Sequence, residues 1–308
     1  MQPPANGVSK HPLHVRAVDV SIVVATCGRS ENLRELLEAL LRSDCPSRLS
    51  WDIWIVDNNS RDETAALVAS FSEREPRMHY LFEGAQGKSH ALNRGVQQAG
   101  GNILAFTDDD CIPDPHWVEN IGAAFAADSK LGLVGGRVEL FNPDDHPTTT
   151  RTWGDRRLVT SPSDVFSLII GCNMAVRSDL LRAIGDFDPL NCPGSSKDAV
   201  FEDIDYVYRA FKNGARIEYR PEILLYHNHG RRSDSDVANV QRKYARGRGS
   251  FFAKHIVTGD RMALKLAYWE VRSMLVSLLR NLLSGKSVRD DLKQISFLFA
   301  GAVTRFTR

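Results

Sequence analysis

Three consecutive carboxylates, Asp108-Asp109-Asp110, directly follow the apolar run of residues 103–107. Adjacent carboxylates repel one another, and neither a helix interior nor a strand interior accommodates three of them at low cost. At the end of a buried strand they form a compact set of oxygen ligands for a hard divalent cation. Side chains two apart on an extended segment point the same way, so Asp108 and Asp110 are expected to face one ion. We expect Asp109 to make structural hydrogen bonds instead.

Two further polar groups lie later in the chain. Glu202 and Asp203 open a helix-like segment, where acidic residues commonly compensate the helix dipole. They would also serve as a general base, because an alcohol nucleophile needs a carboxylate or imidazole within hydrogen-bond reach. His227 and His229 follow a strand-like segment, and imidazole is a ligand for Mn²⁺, although most isolated histidines are not ligands. The residues alone leave these alternatives open.

Asp57, Lys88 and Arg29 are candidates for binding a nucleotide. Asp57 ends a predicted strand, and its carboxylate could accept a hydrogen bond from a base or a ribose, although Asp-Asn-Asn-Ser is also a common turn sequence. Lys88 follows Gly87 at the start of a predicted helix, whose positive end would help it to meet a phosphate. Arg29 follows the first predicted strand in a similar way. The alternative for both cations is a solvated side chain.

The elements that must position these residues alternate between strand and helix up to Trp117. Buried strands rich in β-branched residues are predicted over residues 18–25, 51–56, 79–82 and 102–106. Helices are predicted from residue 30, over residues 62–71 after a capping box formed by Ser60 and Glu63, and over residues 89–99. This alternation predicts a parallel sheet with helices on both faces, whose carboxyl-end loops share one crevice. The polar clusters lie at such ends, which favours a nucleotide site.

The second half of the chain gives a looser prediction. Strands are expected over residues 131–141, over 166–176 as one strand or a pair, and over 216–226. Helices are expected over residues 178–185 and 201–213, and the long loop 142–164 is expected to be mobile or functional. We therefore divide the chain into an N-terminal tail (1–17), one α/β domain (18–235, with halves 18–118 and 119–235) and a basic helical extension (236–308).

Composition restricts the class of protein. The 308 residues include 39 Lys and Arg against 38 Asp and Glu, so the overall charge does not favour nucleic acid as a partner. The five cysteines contain no CxxC pair, which favours a reducing compartment over a disulfide framework or a zinc site. We find no signal peptide and no run of about 18 apolar residues. We expect a cytoplasmic protein, with the cytoplasmic face of a membrane as the alternative.

Five segments carry a resemblance to a known family: VSIVVATCGR (20–29), IVDNNSRDET (55–64), GKSHALNRGVQQAGGNILAFTDDDCIPDPHWV (87–118), GCNMAVRSDLLRAIGDFDP (171–189) and FEDIDYVYRAFKNGARIEYRPEILLYH (201–227). In this order and spacing they resemble glycosyltransferase family 2. The resemblance implies the GT-A fold, a Rossmann-like and mostly parallel α/β sheet flanked by helices. It also implies inverting sugar transfer from a nucleotide-diphospho-sugar to an acceptor hydroxyl. Taken singly, only the TDDD segment would be persuasive.

The same resemblance implies which residues contact the donor. Thr26 and Arg29 match the loop beside the nucleoside, and Asp57 with its neighbour Asn59 matches the segment that reads the base. Lys88 corresponds to a basic residue near the base or the phosphates. UDP-sugars are the expected donors, although GDP and dTDP sugars occur in the family.

The resemblance also implies a metal site. The family's DXD motif falls on Asp108, which would face the ribose and the metal shell, and on Asp110, the direct ligand. His227 matches a histidine that completes the site in relatives, and it fits that position better than His229. The implied cofactor is Mn²⁺ or Mg²⁺.

The family's ED motif falls on Glu202-Asp203, with Asp203 as the catalytic base. Glu202, Asp109 and Asn173 are expected to contact the nucleotide-sugar as well. Asn173 belongs to a segment that lines the donor sugar and the acceptor in relatives.

The chain departs from the processive polysaccharide synthases of the family, since it lacks their QxxRW motif and their transmembrane helices. This favours a single-addition transferase acting on a saccharide or lipid-linked acceptor, in polysaccharide or glycoconjugate biosynthesis. A basic segment, residues 243–249, stands in place of the motif. Within it Arg246 or Arg248 is a candidate for closing over the diphosphate, and a basic membrane-facing patch explains them equally well.

Two other functions remain as alternatives. A sugar-phosphate nucleotidyltransferase has a similar fold but usually carries GxGxR after the first strand, where this chain has ATCGR (25–29). A non-catalytic nucleotide-sugar-binding protein is disfavoured by the intact Asp108, Asp110 and Asp203. The helical extension alternates cations with apolar residues, a pattern of helices that lie on a membrane surface. Packing on the catalytic domain, or on a second subunit in a homodimer, is the other explanation.

Overall fold

The computed structural model describes residues 18–307, so the predicted tail of residues 1–17 lies outside the described part of the chain. Residues 18–307 form nine strands and ten α-helices. The strands are β1 (Val20–Thr26), β2 (Trp51–Asp57), β3 (Met78–Phe82), β4 (Ile103–Asp108), β5 (Cys111–Pro113), β6 (Leu131–Leu140), β7 (Arg157–Leu158), β8 (Met174–Arg177) and β9 (Arg216–His227). The helices are α1 (Ser30–Leu41), α2 (Thr64–Ser72), α3 (Lys88–Gln98), α4 (Trp117–Ala127), α5 (Pro162–Val165), α6 (Ser178–Ile184), α7 (Glu202–Lys212), α8 (Asp234–Val257), α9 (Arg261–Leu283) and α10 (Arg289–Thr304).

The strands form one sheet in the order β3-β2-β1-β4-β8-β6-β9-β5, and β7 pairs with β9. Strands β1 to β4 are parallel, and their register places Thr26 opposite Asp57 and Ala25 opposite Asp108. In the second half β8 runs antiparallel to β4 and β6, whereas β6 and β9 are parallel. The short β5 is antiparallel to β9, with Cys111 opposite His227. The parallel half therefore aligns the predicted polar strand ends, and β9 returns to them.

Hydrophobic side chains fill both faces of the sheet, as expected for a mixed α/β fold. One core cluster contains Leu36 of α1, Val68 of α2 and Trp117 of α4, and it packs on the strands from one side. A second cluster on the other face contains Leu92 of α3 and Tyr206 of α7. The predicted fold class, a helix-flanked α/β sheet with a helical C-terminal extension, is confirmed.

Two local predictions are wrong. Ser60 and Glu63 form no capping box at α2, since the Ser60 hydroxyl accepts a hydrogen bond from the Gly28 N–H instead. The side chain of Asp62 binds the N–H and hydroxyl of Thr64 at the helix start. The predicted strand over residues 166–176 is confined to β8, because a 3₁₀ turn (Gly171–Asn173) precedes it. Apolar residues in this segment pack into the core without strand pairing.

The C-terminal helices join the core of the α/β domain. Phe251 of α8, Ala263 of α9 and Leu298 of α10 belong to the same buried cluster as Tyr206. Helix α8 begins with a capping box in which Ser233 and Asp236 exchange hydrogen bonds. None of the helices within residues 18–307 is both long enough and apolar enough to cross a bilayer.

Helices α8 and α10 approach so closely that glycine is required where they cross. A Cβ on Gly249 would overlap the carbonyl oxygen of Leu298, and a Cβ on Gly301 would overlap that of Arg246. Both collisions are with backbone atoms, so a whole helix would have to move to relieve them.

Gly249→Ala should therefore destabilise the protein by about 1–3 kcal/mol, because the overlap outweighs the better helix propensity of alanine. Thermal unfolding followed by circular dichroism measures the change. Gly154→Ala is the matched control, since its new Cβ would meet open space. A melting temperature of Gly249→Ala equal to that of the wild type would contradict the close packing.

Candidate active site

The carboxyl ends of β1, β2 and β4 lie side by side and open the candidate site. Asp57, at the end of β2, is buried, and both of its carboxylate oxygens accept hydrogen bonds. Its Oδ1 accepts from the Ser60 N–H and its Oδ2 from the Tyr80 hydroxyl, each at 2.8 Å. Burial and the neighbouring Asp57 raise the pKa of Tyr80 to about 12, so the phenol remains a donor. These two bonds fix the orientation of Asp57, and Asn59 lies exposed beside it with a φ of 66°.

Asn58 is a functional residue that sequence reasoning missed. Its amide nitrogen donates to the carbonyls of Ala85 at 2.7 Å and Glu83 at 3.2 Å, and its Oδ1 accepts from the Gly87 N–H at 2.7 Å. It is buried, and it ties the loop before α3 to the end of β2. The turn-like composition of residues 57–60 gave no signal that the second residue faces inward.

The aspartate triplet does not continue as an extended strand. Strand β4 ends at Asp108, and Asp109 and Asp110 form a turn. The expected extended geometry therefore ends at Asp108. The possible ligand atoms that cluster with Asp110 come from Cys111 and His227, and an ion shared by Asp108 and Asp110 stays a prediction. Asp108 instead contacts Lys88, whose Nζ lies 2.5 Å from its Oδ1.

Asp109 makes the structural hydrogen bonds that the sequence predicted. Its Oδ2 accepts from the Thr26 hydroxyl at 2.8 Å, and its Oδ1 accepts from Arg29 at 3.2 Å. Burial raises the pKa of Asp109 to about 6, although Arg29 opposes the shift. The same Arg29 guanidinium lies 3.0 Å from Oδ2 of Asp110. Thr26 and Arg29 thus hold the acidic turn in place.

Asp110 and His227 form the candidate metal centre. The His227 Nε2 lies 3.2 Å from Oδ1 of Asp110, and both side chains are buried. Burial would raise the pKa of Asp110, but the adjacent His227 and Arg29 hold it below its usual range. Burial by itself would lower the pKa of His227. The hydrogen bond and negative charge of Asp110 outweigh burial and raise this pKa to about 9. On the other ring edge, the Thr149 hydroxyl lies 3.2 Å from Nδ1 of His227, so the long loop 142–164 reaches the site.

The donor set fits Mn²⁺ or Mg²⁺. Ligand atoms of Asp110, Cys111 and His227 lie within 4.8 Å of one another. Oδ1 of Asp110 is buried and faces Nε2 of His227 at 3.2 Å without a well-aligned hydrogen bond, so a cation could take the place of the proton between them. Burial raises the pKa of the Cys111 thiol well above its usual value, so it stays protonated and is a poor ligand. A carboxylate oxygen and an imidazole nitrogen remain, a pair that suits Mn²⁺ better than Mg²⁺, whose usual ligands are oxygens. The ring of His229 packs edge-on against that of His227, with 5.0 Å between the centroids, and its Nδ1 lies 3.6 Å from Asp145.

Glu202 and Asp203 open helix α7 opposite the acidic turn. Both carboxylate oxygens of Asp203 accept hydrogen bonds. Its Oδ2 accepts from the Gly171 N–H at 2.8 Å, and its Oδ1 accepts from the Ile204 N–H. Glu202 is buried, and burial raises its pKa to about 8. The charge of Lys88 opposes this increase, and the charge of Asp203 adds to it. Glu202 therefore carries its proton at neutral pH. The two neighbouring carboxyl groups have different environments and suit different roles.

A small space, about large enough for one water molecule, lies between the two halves of the site. Lys88 and Asp108 line it from the nucleotide-binding half, and Gly171, Glu202 and Asp203 line it from the other half. Lys88 lies 3.7 Å from Glu202 as well as close to Asp108. The lysine is therefore the positive charge that bridges the acidic groups of the two halves.

Two predicted residues have other roles in the structure. The Asn173 amide is fully used, since it donates to the carbonyls of Arg137 and Ile223 and accepts from the Trp117 indole. It joins strands in the core. Arg248 forms an ion pair with Glu270 of α9, and its guanidinium lies 6.0 Å from the centroid of the Phe201 ring. The spacing of residues along the chain could not reveal these distant partners.

Asp205, in the first turn of α7, binds this helix to α8. It is completely buried and contacts His255 at 2.7 Å, Lys254 at 2.9 Å and Arg209 at 2.9 Å. Burial would raise its pKa, but the hydrogen bond with His255 and the charges of Lys254 and Arg209 lower it below the usual range. Lys254 also pairs with Asp188 at 3.0 Å, and Asp188 pairs with Arg305 of α10 at 2.6 Å. Ion pairs thus connect the extension to the helix that carries Asp203.

Comparison with known families identifies the class of protein that this fold and site define. The profile of Glycosyl transferase family 2 matches residues 21–185, more than half of the 308 residues. The chain belongs to this family.

The curated relatives are distant. The chain is 27% identical over 213 residues to Glycosyltransferase AglE of Haloferax volcanii. The matched segment covers 68% of this chain and 66% of AglE. It is 25% identical over 222 residues to the pre-mycofactocin glycosyltransferase of Mycobacterium tuberculosis, with 68% of this chain and 43% of that protein covered. The chain therefore spans 66% of the length of AglE and 43% of the length of the pre-mycofactocin glycosyltransferase.

Solved structures show the same GT-A fold. The mannosyltransferase PcManGT from Pyrobaculum calidifontis, in complex with GDP-Man and Mn²⁺, matches with a TM-score of 0.63 and 19% identity. The match covers 95% of this chain and 88% of PcManGT. Residues 1–349 of S. aureus TarS, in complex with UDP-GlcNAc, match with a TM-score of 0.60 and 18% identity, covering 76% of this chain and 65% of that one.

Asp205→Asn should lower the free energy of unfolding by about 3 kcal/mol at pH 7, because three cationic or imidazole groups lose a buried partner. The folded-state pKa of Asp205 is depressed, so its contribution is present above about pH 4 and is lost as the pH falls below that value. Urea unfolding at pH 7 and pH 3 should show the difference from wild type shrinking in acid. Asp290→Asn is the control, since that carboxylate is 89% exposed. A difference that grows in acid would contradict the assignment.

Proposed function

We propose that this protein transfers a glycosyl group from a nucleotide-diphospho-sugar to an acceptor hydroxyl with inversion at the anomeric carbon. The observation that carries the proposal is the convergence of Lys88 and Asp108 from one half with Asp203 from the other around one small space. Membership of family 2 supports it. The bound GDP-Man of PcManGT and the bound UDP-GlcNAc of TarS support a nucleotide-sugar as donor.

The donor is proposed to bind along the carboxyl ends of β1, β2 and β4. Asp57 is held by Ser60 and Tyr80, and each carboxylate oxygen keeps a lone pair for a base or ribose donor. Thr26 ends β1, and Arg29 and Asn59 lie on the adjoining loops. The buried ammonium of Lys88, next to the N-terminus of α3, is suited to a phosphate oxygen. We expect UDP-sugars first among the donors.

Asp203 is proposed as the general base. It would take the proton of the acceptor hydroxyl as the acceptor oxygen forms its bond to the anomeric carbon. The bond from that carbon to the diphosphate oxygen breaks on the opposite face, and the nucleotide diphosphate leaves with the electron pair. The Gly171 N–H at 2.8 Å holds the carboxylate in position. Glu202 would remain a neutral neighbour, because its pKa of about 8 keeps its proton on at neutral pH.

Asp110 and His227 are proposed to hold Mn²⁺ or Mg²⁺, with Asp108 facing the ribose and the outer metal shell. When bound, such an ion supplies positive charge that offsets the charge of the departing diphosphate. Arg29 contributes a fixed charge on the same acidic turn, where it contacts both Asp109 and Asp110.

The acceptor is proposed to be a saccharide or a lipid-linked saccharide that approaches from the side of Asp203. Tyr244 of α8 is a candidate for lining this approach, because it is close enough to Asp203 and Glu202 for their charges to raise its pKa beyond the effect of burial. The nucleotidyltransferase alternative is disfavoured because ATCGR (25–29) stands after β1, where those enzymes usually carry GxGxR. A silent sugar-nucleotide-binding protein would bind donors without turning them over.

Asp203→Asn should lower kcat by about 10²–10⁴-fold, because the amide cannot accept the proton. The Kd for the donor should change by less than about twofold, since this carboxylate is not placed on the phosphates. Glu202→Gln is the matched control. It replaces a protonated carboxyl with a neutral group of similar size, so transfer should persist at pH 7. Equal losses of donor affinity and turnover in Asp203→Asn would assign Asp203 a structural role.

Asp110→Ala should abolish the Mn²⁺-dependent part of donor binding. We expect one member of a panel of UDP, GDP and dTDP sugars to raise the melting temperature of the wild type, and more so with Mn²⁺ present. In Asp110→Ala the increment due to Mn²⁺ should disappear, whereas Asp114→Asn, a carboxylate four residues away, should retain it. An unchanged Mn²⁺ titration in Asp110→Ala would contradict the metal assignment.

A further inference from the structure

Helix α9 exposes an apolar stripe that nothing in the described part of the chain covers. Its members recur at helical spacing, so they share one face. They are 47–61% exposed: Leu264, Tyr268, Leu275, Leu279 and Leu282. Trp269 flanks the stripe and is half exposed. A soluble surface seldom carries so many large apolar side chains in one row, which marks the stripe as an interaction site.

Helix α10 and the residues just after it add a second stripe. Leu292, Phe299, Val303 and Phe306 are separated by seven, four and three residues, and each is more than half exposed. Helix α10 is fixed to the catalytic domain by its close crossing with α8 and by the ion pair of Arg305 with Asp188. The exposed stripe is therefore held on a rigid support.

The charge along helix α9 is mostly positive. Six exposed cations lie between the start of α9 and the start of α10: Arg261, Lys265, Arg272, Arg280, Lys286 and Arg289. The same stretch contains one acidic residue, Glu270, which is used by Arg248 of α8. Among residues 18–307, no carboxylate lies within 4.0 Å of any of these six side chains. Arg272 lies over the ring of Trp269, 5.3 Å from its centroid.

We propose that this basic apolar face, formed by α9 and the exposed side of α10, docks on a membrane surface that contains anionic lipids. Leucine, tyrosine and tryptophan would enter the boundary between headgroups and acyl chains, while the flanking lysines and arginines meet the lipid phosphates. The helices lie in the plane of the surface.

The charges argue against a second copy of the chain as the occupant. Two such faces in contact would place six cations opposite six others, and the exposed carboxylate of Asp290 at this face already pairs with Lys293 at 3.0 Å. An anionic lipid surface offers the complementary charge and an apolar layer together. A second copy is therefore an outcome of the test and not the proposal.

Vesicle co-sedimentation of the full chain tests the proposal. Binding to vesicles of phosphatidylcholine with about one-third phosphatidylglycerol should exceed binding to pure phosphatidylcholine at least about tenfold, and it should weaken as salt is added. Trp269 is the one exposed tryptophan among the five, so its emission should shift to the blue on binding. Trp269→Phe should remove most of the shift and leave most of the binding.

Charge reversal supplies the matched comparison. Arg261→Glu, Lys265→Glu and Arg272→Glu together should weaken vesicle binding at least about tenfold. Reversal of three exposed arginines elsewhere, Arg34, Arg48 and Arg94, changes the net charge equally and should leave binding within about twofold. Every altered side chain is exposed, so both triple variants should keep the far-ultraviolet spectrum of the wild type.

Leu275→Glu with Leu279→Glu tests the apolar part, and Leu158→Glu, an exposed leucine on β7, is its control. The leucine pair should abolish the fluorescence shift, and the control should preserve it. Three results would overturn the proposal. These are no vesicle binding, equal loss in both charge variants, or a dimer in light scattering that the leucine pair dissociates. Because these readouts do not use transfer, they are independent of the proposed glycosyl transfer.

Discussion

The site depends on gathering carboxylates at one edge of the sheet and giving each of them a fixed partner. Asp109 is held by Thr26 and Arg29, Asp108 by Lys88, Asp110 by His227, and Asp203 by the Gly171 N–H. Without these partners the mutual repulsion and the loss of hydration would open the loops. The parallel register of β1, β2 and β4 creates this concentration of charge, and the return of β9 supplies the histidine.

The C-terminal helices belong to this scheme. Asp205 lies two residues after Asp203 and is bound by Lys254 and His255 of α8. Lys254 also reaches Asp188, whose backbone carbonyl accepts a hydrogen bond from Ser89 at the start of α3. The extension is thus connected by charge to both helices whose first turns face the cavity. Its apolar outer face is free for another partner while its inner face supports the site.

Much of the first half was predictable because its signals are local. Alternating buried strands and amphipathic helices follow from side-chain periodicity, and polar residues at the ends of parallel strands must converge. This reasoning located Asp57, Lys88 and the aspartate triplet. It was wrong about the extended backbone of the triplet, because the strand ends at Asp108 and a turn follows. It also missed Asn58, whose inward orientation depends on a loop almost thirty residues later.

The sequence by itself determined the α/β class, the order of the strand-end motifs and the pairing of Glu202 with Asp203 at a helix start. Only the tertiary structure decided which group each polar side chain contacts, and whether that side chain faces the site or the core. Asn173 and Arg248 show why, since their partners Trp117 and Glu270 lie in distant parts of the chain. Periodicity records whether a side chain is buried. It does not record the buried group that it meets, because that depends on how remote elements pack.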